Sequence, residues 1–332
     1  MIVINDVHIA ANRTAGTTPA SAAELRQYTL GNLSSFLDFV DEDLLVAGDL
    51  FDNFNVPNTD LLATYRIFDK WLLKGHKLYA MRGNHDASKD SSKLSSFDLL
   101  GALLEGRATF INEPVLIGNT YCLPHALNQD EFDLWISKVP ACDFCVIHAN
   151  YDNHFATQSD HSLNVSEDQA KASLAKTLVF AHEHAARSML AGKVFVLGVQ
   201  WPTSISDCLS RKDLHAHRLC SGGEIQAFQT WSRDNYKEFH WKDIEGGFPA
   251  SFVRIVGHAT PDEAAQVADT IAKYRRASLA FIVGNAVKIG EDSEMEEFSV
   301  QSLEQARAFD VMGALKGFLT EDEYKILEKL NA

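Results

Sequence analysis

Five short apolar runs, each closing on side chains that bind hard cations, constrain this chain more tightly than any other feature. Ile2-Val3-Ile4 runs into Asp6-Val7-His8, and Leu44-Leu45-Val46-Ala47 into Gly48-Asp49-Leu50-Phe51-Asp52. Lys77-Leu78-Tyr79-Ala80-Met81 leads to Gly83-Asn84-His85-Asp86, Phe144-Cys145-Val146-Ile147 to His148, and Leu178-Val179-Phe180 to His182-Glu183-His184. Every run has strand length and β-branched or aromatic content. The pattern predicts an α/β fold whose strands deliver polar groups from their carboxyl ends, the edge where loops of such sheets converge on one crevice.

The residue types specify the chemistry. Carboxylates and an amide carbonyl suit hard divalent ions, imidazole suits Mn, Fe or Zn, and the absence of cysteine from the set argues against a soft thiolate site. Two ions a few ångströms apart can share one carboxylate, activate water and clamp the non-bridging oxygens of a phosphoester. Asp49 is the natural bridge. A lone Asp-x-His or Asn-His would mean little, being common in turns and surface pairs. Five such groups in order, each after a strand, carry the reading.

In these motifs the chain resembles the calcineurin-like metallophosphoesterase superfamily, whose pattern is D-x-H, G-D-x-x-D, G-N-H-D or E, a lone H, and G-H-x-H. The resemblance spans roughly the first two hundred residues. It implies a two-sheet β-sandwich flanked by helices, with two divalent ions. Carried over by motif, Asp6, His8, Asp49 and His184 hold the first ion, and Asp49, Asn84, His148 and His182 the second. His85 is then no ligand but the general acid for the leaving oxygen, a role suited to a group that titrates near neutrality. Asp86 would orient it. Two positions depart from the pattern: Ala181 stands where Gly usually precedes His-x-His, and Asn5 where many relatives have another small or polar residue.

Flanking residues narrow the resemblance to SbcD-like recombination nucleases of the short phage type. Gly48-Asp49-Leu50-Phe51-Asp52 reads like their motif, a Ser- and Leu-containing segment follows Asp86, and Gly198-Val199-Gln200-Trp201-Pro202-Thr203 resembles the strand end after their last His motif. That similarity implies manganese-dependent DNA cleavage, as a 3′ exonuclease and a single-strand or hairpin endonuclease, in complex with an SbcC-like coiled-coil ATPase. A homodimer is a separate candidate assembly. A phosphatase or cyclic-nucleotide phosphodiesterase would use the same ions. A non-catalytic binding module on this fold is the rival of another class, and it would tolerate loss of His85 or of a ligand.

The 332 residues suffice for one large α/β domain and a smaller companion. We expect a nuclease domain over 1–238, a small α+β cap over 239–290, and an acidic connector with C-terminal helices over 291–332. Lys193–Gly198 and Ile225–Trp231 read as strands completing the second sheet. Within the cap, Phe252–Val256 is a strand, Thr260-Pro261-Asp262-Glu263 opens a helix to about Arg276, and Ser278–Ile289 is a strand again. The C-terminal helices either pack on the cap or dock a partner. A net charge of −15 argues against a broad basic face that grips nucleic acid unaided, so a partner helps to hold a polyanion or the substrate is small. No secretory signal or membrane-spanning run is visible, and the expectation is a soluble, cytoplasmic protein.

Five scattered cysteines suggest no disulfide framework. Cys142-x-x-Cys145 lacks a second pair and leads into His148, which favours packing over redox or zinc chemistry. Among the other histidines, His125 is the best candidate for a site role because it also ends a strand-like run. His154 and His161 are candidates for the cleft wall, and His215 and His217 read as surface or structural. Phe51 reads as core, whereas Phe54 and Tyr151 are left open as stacking surfaces for a base.

Overall fold

Successive strand residues point to opposite faces, and that alternation builds the interior. The computed structural model describes residues 1–11, 18–87, 93–153, 162–209, 214–230, 235–244 and 252–290. Strands β1 (Ile2–Ile4), β2 (Leu44–Ala47), β3 (Leu78–Met81) and β4 (Ala108–Ile111) lie parallel in that order. Ile2, Ile4, Leu44 and Val46 turn outward to a cluster formed with helices α1 (Pro19–Phe39), α2 (Asn58–Leu72) and α3 (Ser96–Leu103), through Phe36, Phe68, Trp71 and Phe97. Val3, Leu45, Ala47 and Met81 turn the other way.

They meet a second sheet. It comprises β5 (Val115–Ile117), β6 (Thr120–Leu123), β7 (Phe144–His148), β10 (Thr177–Ala181), β11 (Arg187–Met189) and β12 (Val194–Val196), in the order β11-β12-β10-β7-β6-β5. Phe144, Val146, Val179 and Ala181 face the first sheet, while Cys145, Ile147, Leu178 and Phe180 face Phe132 of α4 (Gln129–Ile136) and Ala170 of α5 (Glu167–Ala172). Two sheets buried on both faces, each covered by helices, are the layered solution expected of largely parallel strands. Between β7 and β10, β8 (Asn150–Tyr151) and β9 (Asn164–Val165) form a separate two-stranded pair.

One strand assignment needs correction. β12 joins the second sheet as expected, but β14 (Ile225–Thr230) does not. It pairs antiparallel with β13 (His215–Leu219), which pairs antiparallel with β1, so both extend the first sheet. The hairpin turns at Gly222 and Gly223, whose φ values of 84° and 94° favour glycine. With polar residues at three of its five positions, His215-Ala216-His217-Arg218-Leu219 hides the strand that draws β14 across.

Downstream, the strand-helix-strand read from the sequence is present as β16 (Phe252–Ala259), α7 (Ala264–Ala277) and β17 (Ile282–Ile289). An additional strand, β15 (Tyr236–His240), joins on the other side of β16, and all three run parallel. The Thr260 N–H donates to the Glu263 carboxylate at 3.0 Å ahead of α7, as the capping pattern predicts. Val267, Ile271 and Tyr274 cover one face of this sheet. On the other, Phe252 and Phe281 meet Leu25 of α1 and Cys208 of the short helix α6 (Ile205–Leu209). None of the five cysteines forms a disulfide, and no helix among the described residues is long and apolar enough to cross a membrane. The acidic connector and C-terminal helices, like His154 and His161, lie outside the described residues.

Candidate metal centre

The carboxyl ends of β1, β2 and β3 meet those of β7 and β10 along the seam between the sheets, and the backbone there is strained. Asp6, His8, Asp49 and His182 have φ values of 48°, 49°, 49° and 85°, a left-handed conformation costing roughly 1–2 kcal/mol for a residue with a side chain. Main-chain hydrogen bonds hold it: Asp6 N–H donates to Gly48 O and His8 N–H to Asp49 O, both at 3.1 Å. His182 N–H donates to Asp6 Oδ2 at 3.0 Å. Two motif glycines make the close approach possible. A Cβ on Gly48, at φ 97°, would lie 2.0 Å from His148 Nδ1, and one on Gly83 would lie 2.1 Å from Asp49 Oδ1. Ala181 tolerates its methyl because the left-handed turn falls on His182, leaving Ala181 as the last strand residue, buried between the sheets.

All seven expected metal ligands come together here. His8 Nε2 and His184 Nε2 lie 3.9 and 4.0 Å from Asp6 Oδ1, a buried oxygen with no hydrogen-bond partner. Alongside, His148 Nε2 is 2.9 Å from Asn84 Oδ1 and 3.4 Å from Asp49 Oδ2, with the His182 ring 5.3 Å from that of His148. Ligand atoms of Asp6, Asp49, His148 and His182 all lie within 4.8 Å of one another, as do those of Asp6, His8 and His184. Asp6 therefore belongs to both groups, whereas Asp49 belongs to the first and, with His8 and His85, to a third. An orphaned buried carboxylate oxygen among imidazole nitrogens, with hard donors throughout and no sulfur, fits a divalent cation. Burial opposes a charge on Asp49, yet the imidazoles of His148, His8 and His85 hold its carboxyl well below the usual range. Burial likewise opposes a charge on His148, but the Asp49 carboxylate pushes it up to about 9.

His85 stands at the open side, its side chain 40% exposed. Its N–H donates to Asp49 Oδ1 at 2.9 Å, and its Nδ1 donates to the Asp52 carbonyl at 2.7 Å, leaving Nε2 3.9 Å from Asp49 Oδ2. The expected role of Asp86 as its orienting partner is corrected accordingly. The Asp86 carboxylate accepts from the main-chain N–H groups of Leu50, Phe51 and Gly83 at 3.3, 3.0 and 3.0 Å. Those bonds stitch the β2 and β3 loops together, and the main chain of Asp52 aims His85. Burial and the charge of Asp49 push Asp86 up to about 7.

Three further groups build the centre. Asp52 Oδ1 lies 3.2 Å from His8 Nδ1, in ion-pair range though short of hydrogen-bond alignment. Asp207 Oδ1 accepts from His184 Nδ1 at 2.8 Å. Burial would raise the Asp207 carboxyl, but its bond to His184 and those from Thr203 and Ser204 hold it low. Asn5 donates through Nδ2 to Asp6 and to Gly198 O, and its N–H to Gln200 Oε1 at 3.1 Å, anchoring the first ligand. Asp52 was visible as the last letter of G-D-x-x-D. Asp207 had no sequence signal.

The remaining candidates divide. Burial and the neighbouring His148 lower His125 to about 3, so its imidazole is neutral; its main-chain N–H donates to Arg82 O at 2.9 Å. His217 is buried, lowered to about 4 by that burial and by His215, and packs on Phe195. Phe51 is fully buried, and Tyr151, 5% exposed, packs on Phe180, so neither offers a stacking surface.

The calcineurin-like phosphoesterase family model matches residues 1–186, and the chain belongs to that family. Membership and the Asp/His clusters together point to metal-dependent phosphoester hydrolysis. No curated protein matches the sequence. One solved structure, a cold-active protein-tyrosine phosphatase of a psychrophilic Shewanella species, is similar at 14% identity and a TM-score of 0.33, over 69% of this chain and 80% of that one.

Proposed function

We propose that this chain is a two-metal phosphodiesterase that cleaves DNA, with manganese as its working ion and an SbcC-like ATPase as its partner. The observation that carries the metal reading is the convergence of His8 Nε2 and His184 Nε2 on the orphaned Asp6 Oδ1, beside Asp49, Asn84, His148 and His182. Asp6, His8, Asp49 and His184 would hold one ion and Asp49, Asn84, His148 and His182 the other. Bound there, the ions would supply Lewis acidity and activate water. The DNA reading is supported by the flanking motifs and by the strand-helix-strand unit after the catalytic body. The ATPase reading rests on the −15 charge, which leaves a polyanionic substrate in need of a basic partner.

Within this frame, Asp49 takes the His85 N–H with one oxygen and keeps the other for cations. With Nδ1–H committed to the Asp52 carbonyl, His85 presents Nε2 at the open side, where it can carry a second proton and give it to the leaving oxygen. Asp86 keeps the two loops in register. We expect Mn-dependent cleavage of end-labelled single-stranded and hairpin DNA, lost about a hundredfold or more in His85→Ala while both metals stay bound. Activity on a generic phosphodiester dye with none on DNA would instead favour a small-substrate phosphodiesterase, and near wild-type turnover of His85→Ala would remove the assigned acid.

A further inference from the structure

Asp207 lies outside the residues matched by the family model and outside every motif of the sequence, yet its carboxylate is built into the centre. It is 1% exposed. Oδ2 accepts from the N–H groups of Thr203 and Ser204, both at 2.8 Å, and lies 3.2 Å from Thr203 Oγ1. Its own N–H donates to Ser204 Oγ at 3.2 Å at the start of α6. One oxygen is thus fixed by the loop, which leaves Oδ1 free to face His184 Nδ1 at 2.8 Å. A carboxylate accepts, so Nδ1 carries the hydrogen, and the lone pair of the neutral ring lies on Nε2, the atom 4.0 Å from Asp6 Oδ1.

Two other imidazoles, His8 and His148, sharpen the contrast. His8, the partner of His184 around Asp6 Oδ1, also has a carboxylate behind its Nδ1, that of Asp52 at 3.2 Å. His148 has only the neutral Ala47 carbonyl behind Nδ1, at 3.0 Å, and its neighbour Asn84 is an uncharged amide. A carboxylate behind a ligating imidazole fixes its tautomer and raises its basicity more than a carbonyl does, and loss of such a partner typically costs about 10- to 100-fold in metal affinity.

We propose that Asp207 is a positioning residue that holds His184 as an Nε2 ligand and makes the Asp6–His8–His184 position the tighter of the two metal positions. The proposal rests on the two-metal reading above. Calorimetric titration of the chelator-stripped full chain with Mn²⁺ tests both and separates them. Two resolved steps are expected in the wild type. Asp207→Asn should weaken the tighter step by about 10- to 100-fold and leave the weaker one within about threefold. Ser204→Ala, which removes a helix-start bond but keeps the carboxylate, should leave both steps within about threefold.

Equal weakening of both steps by Asp207→Asn, or weakening of the looser step alone, overturns the proposal while the two-metal reading stands. A wild type that binds fewer than two ions overturns that reading and the proposal with it. Should Asp207→Asn fail to fold, the ¹⁵N spectrum of His184 in the metal-free wild type, assigned by its loss in His184→Asn, decides the matter. A hydrogen on Nδ1 supports the assignment, and the Nε2–H tautomer ends it.

Discussion

The two large sheets contribute different chemistry to one seam. Loops after β1, β2 and β3 supply both carboxylates, Asp6 and Asp49, the Asn84 amide and two imidazoles, His8 and His85. Strands β7 and β10 supply imidazoles alone, His148, His182 and His184. The negative charge that would attract cations therefore sits on one sheet, and the nitrogen donors that would complete each ion are divided between the two. Neither half is a site by itself. What joins them is close approach across Gly48, where β2 meets the His148 ring with no room for a methyl.

Removing the shared oxygen ligand is the most severe test of this asymmetry. On the proposed bridging role, Asp49→Ala should abolish binding at both metal positions and lower cleavage by about a thousandfold or more, because one carboxylate would serve two cations. His182→Ala, on the imidazole sheet, should empty only the second position, with a loss of about a hundredfold. Metal stoichiometry with turnover distinguishes them. Two tightly held ions in Asp49→Ala would show that the first sheet does not carry the bridge.

The glycines probe the seam more gently. Gly48→Ala combines the left-handed φ of 97° with a Cβ that would lie 2.0 Å from His148 Nδ1, so roughly 1–2 kcal/mol of backbone strain adds to about 1–3 kcal/mol of overpacking. Gly75, with φ 91° and nothing within 4 Å of its Cβ position, isolates the first effect. Gly75→Ala should cost only the strain, about 1–2 kcal/mol, and leave metal binding intact. Denaturant midpoints and Mn²⁺ titration of the pair measure what the contact between the sheets contributes. Equal losses in both would dissolve it.

Much of this centre was legible because strand ends are. Apolar runs of strand length that stop at Asp, Asn or His declare both the strand and the edge from which its side chains project, and the seven residues expected as ligands, which the fold gathers at one seam, were picked out that way. The division of those strands between two sheets was not legible from alternation, since Val3 and Leu45 point inward from one sheet as Phe144 and Val146 do from the other. β13 escaped because its polar residues mask its pairing with β1, and β14 was misplaced with it. The partner of His85 escaped for a different reason: a backbone carbonyl leaves no trace in residue identity. Asp207, 23 positions from His184, becomes its neighbour only when α6 is in place.

The smallest effect concerns His217, which links the two sheets away from the candidate metal centre. It lies on β13 of the first sheet, 4% exposed, its ring 5.3 Å from that of Phe195 on β12 of the second and 6.1 Å from that of His215. Burial, reinforced by His215, lowers it from 6.5 to about 4. Its folded pKa lies below the unfolded one, so between pH 6.5 and 4 the unfolded chain binds the proton and the folded chain does not. Stability must then fall with pH across that window by about 1–3 kcal/mol from this group. His217→Gln should flatten the metal-free stability profile between pH 6.5 and 4.5 relative to wild type, whatever it does to stability at pH 8. His125, lowered to about 3, adds a slope of the same sign that the variant leaves in place. Parallel profiles for variant and wild type would mean that the imidazole between the sheets takes its proton as readily folded as unfolded, and that the contact with Phe195 leaves it open to water.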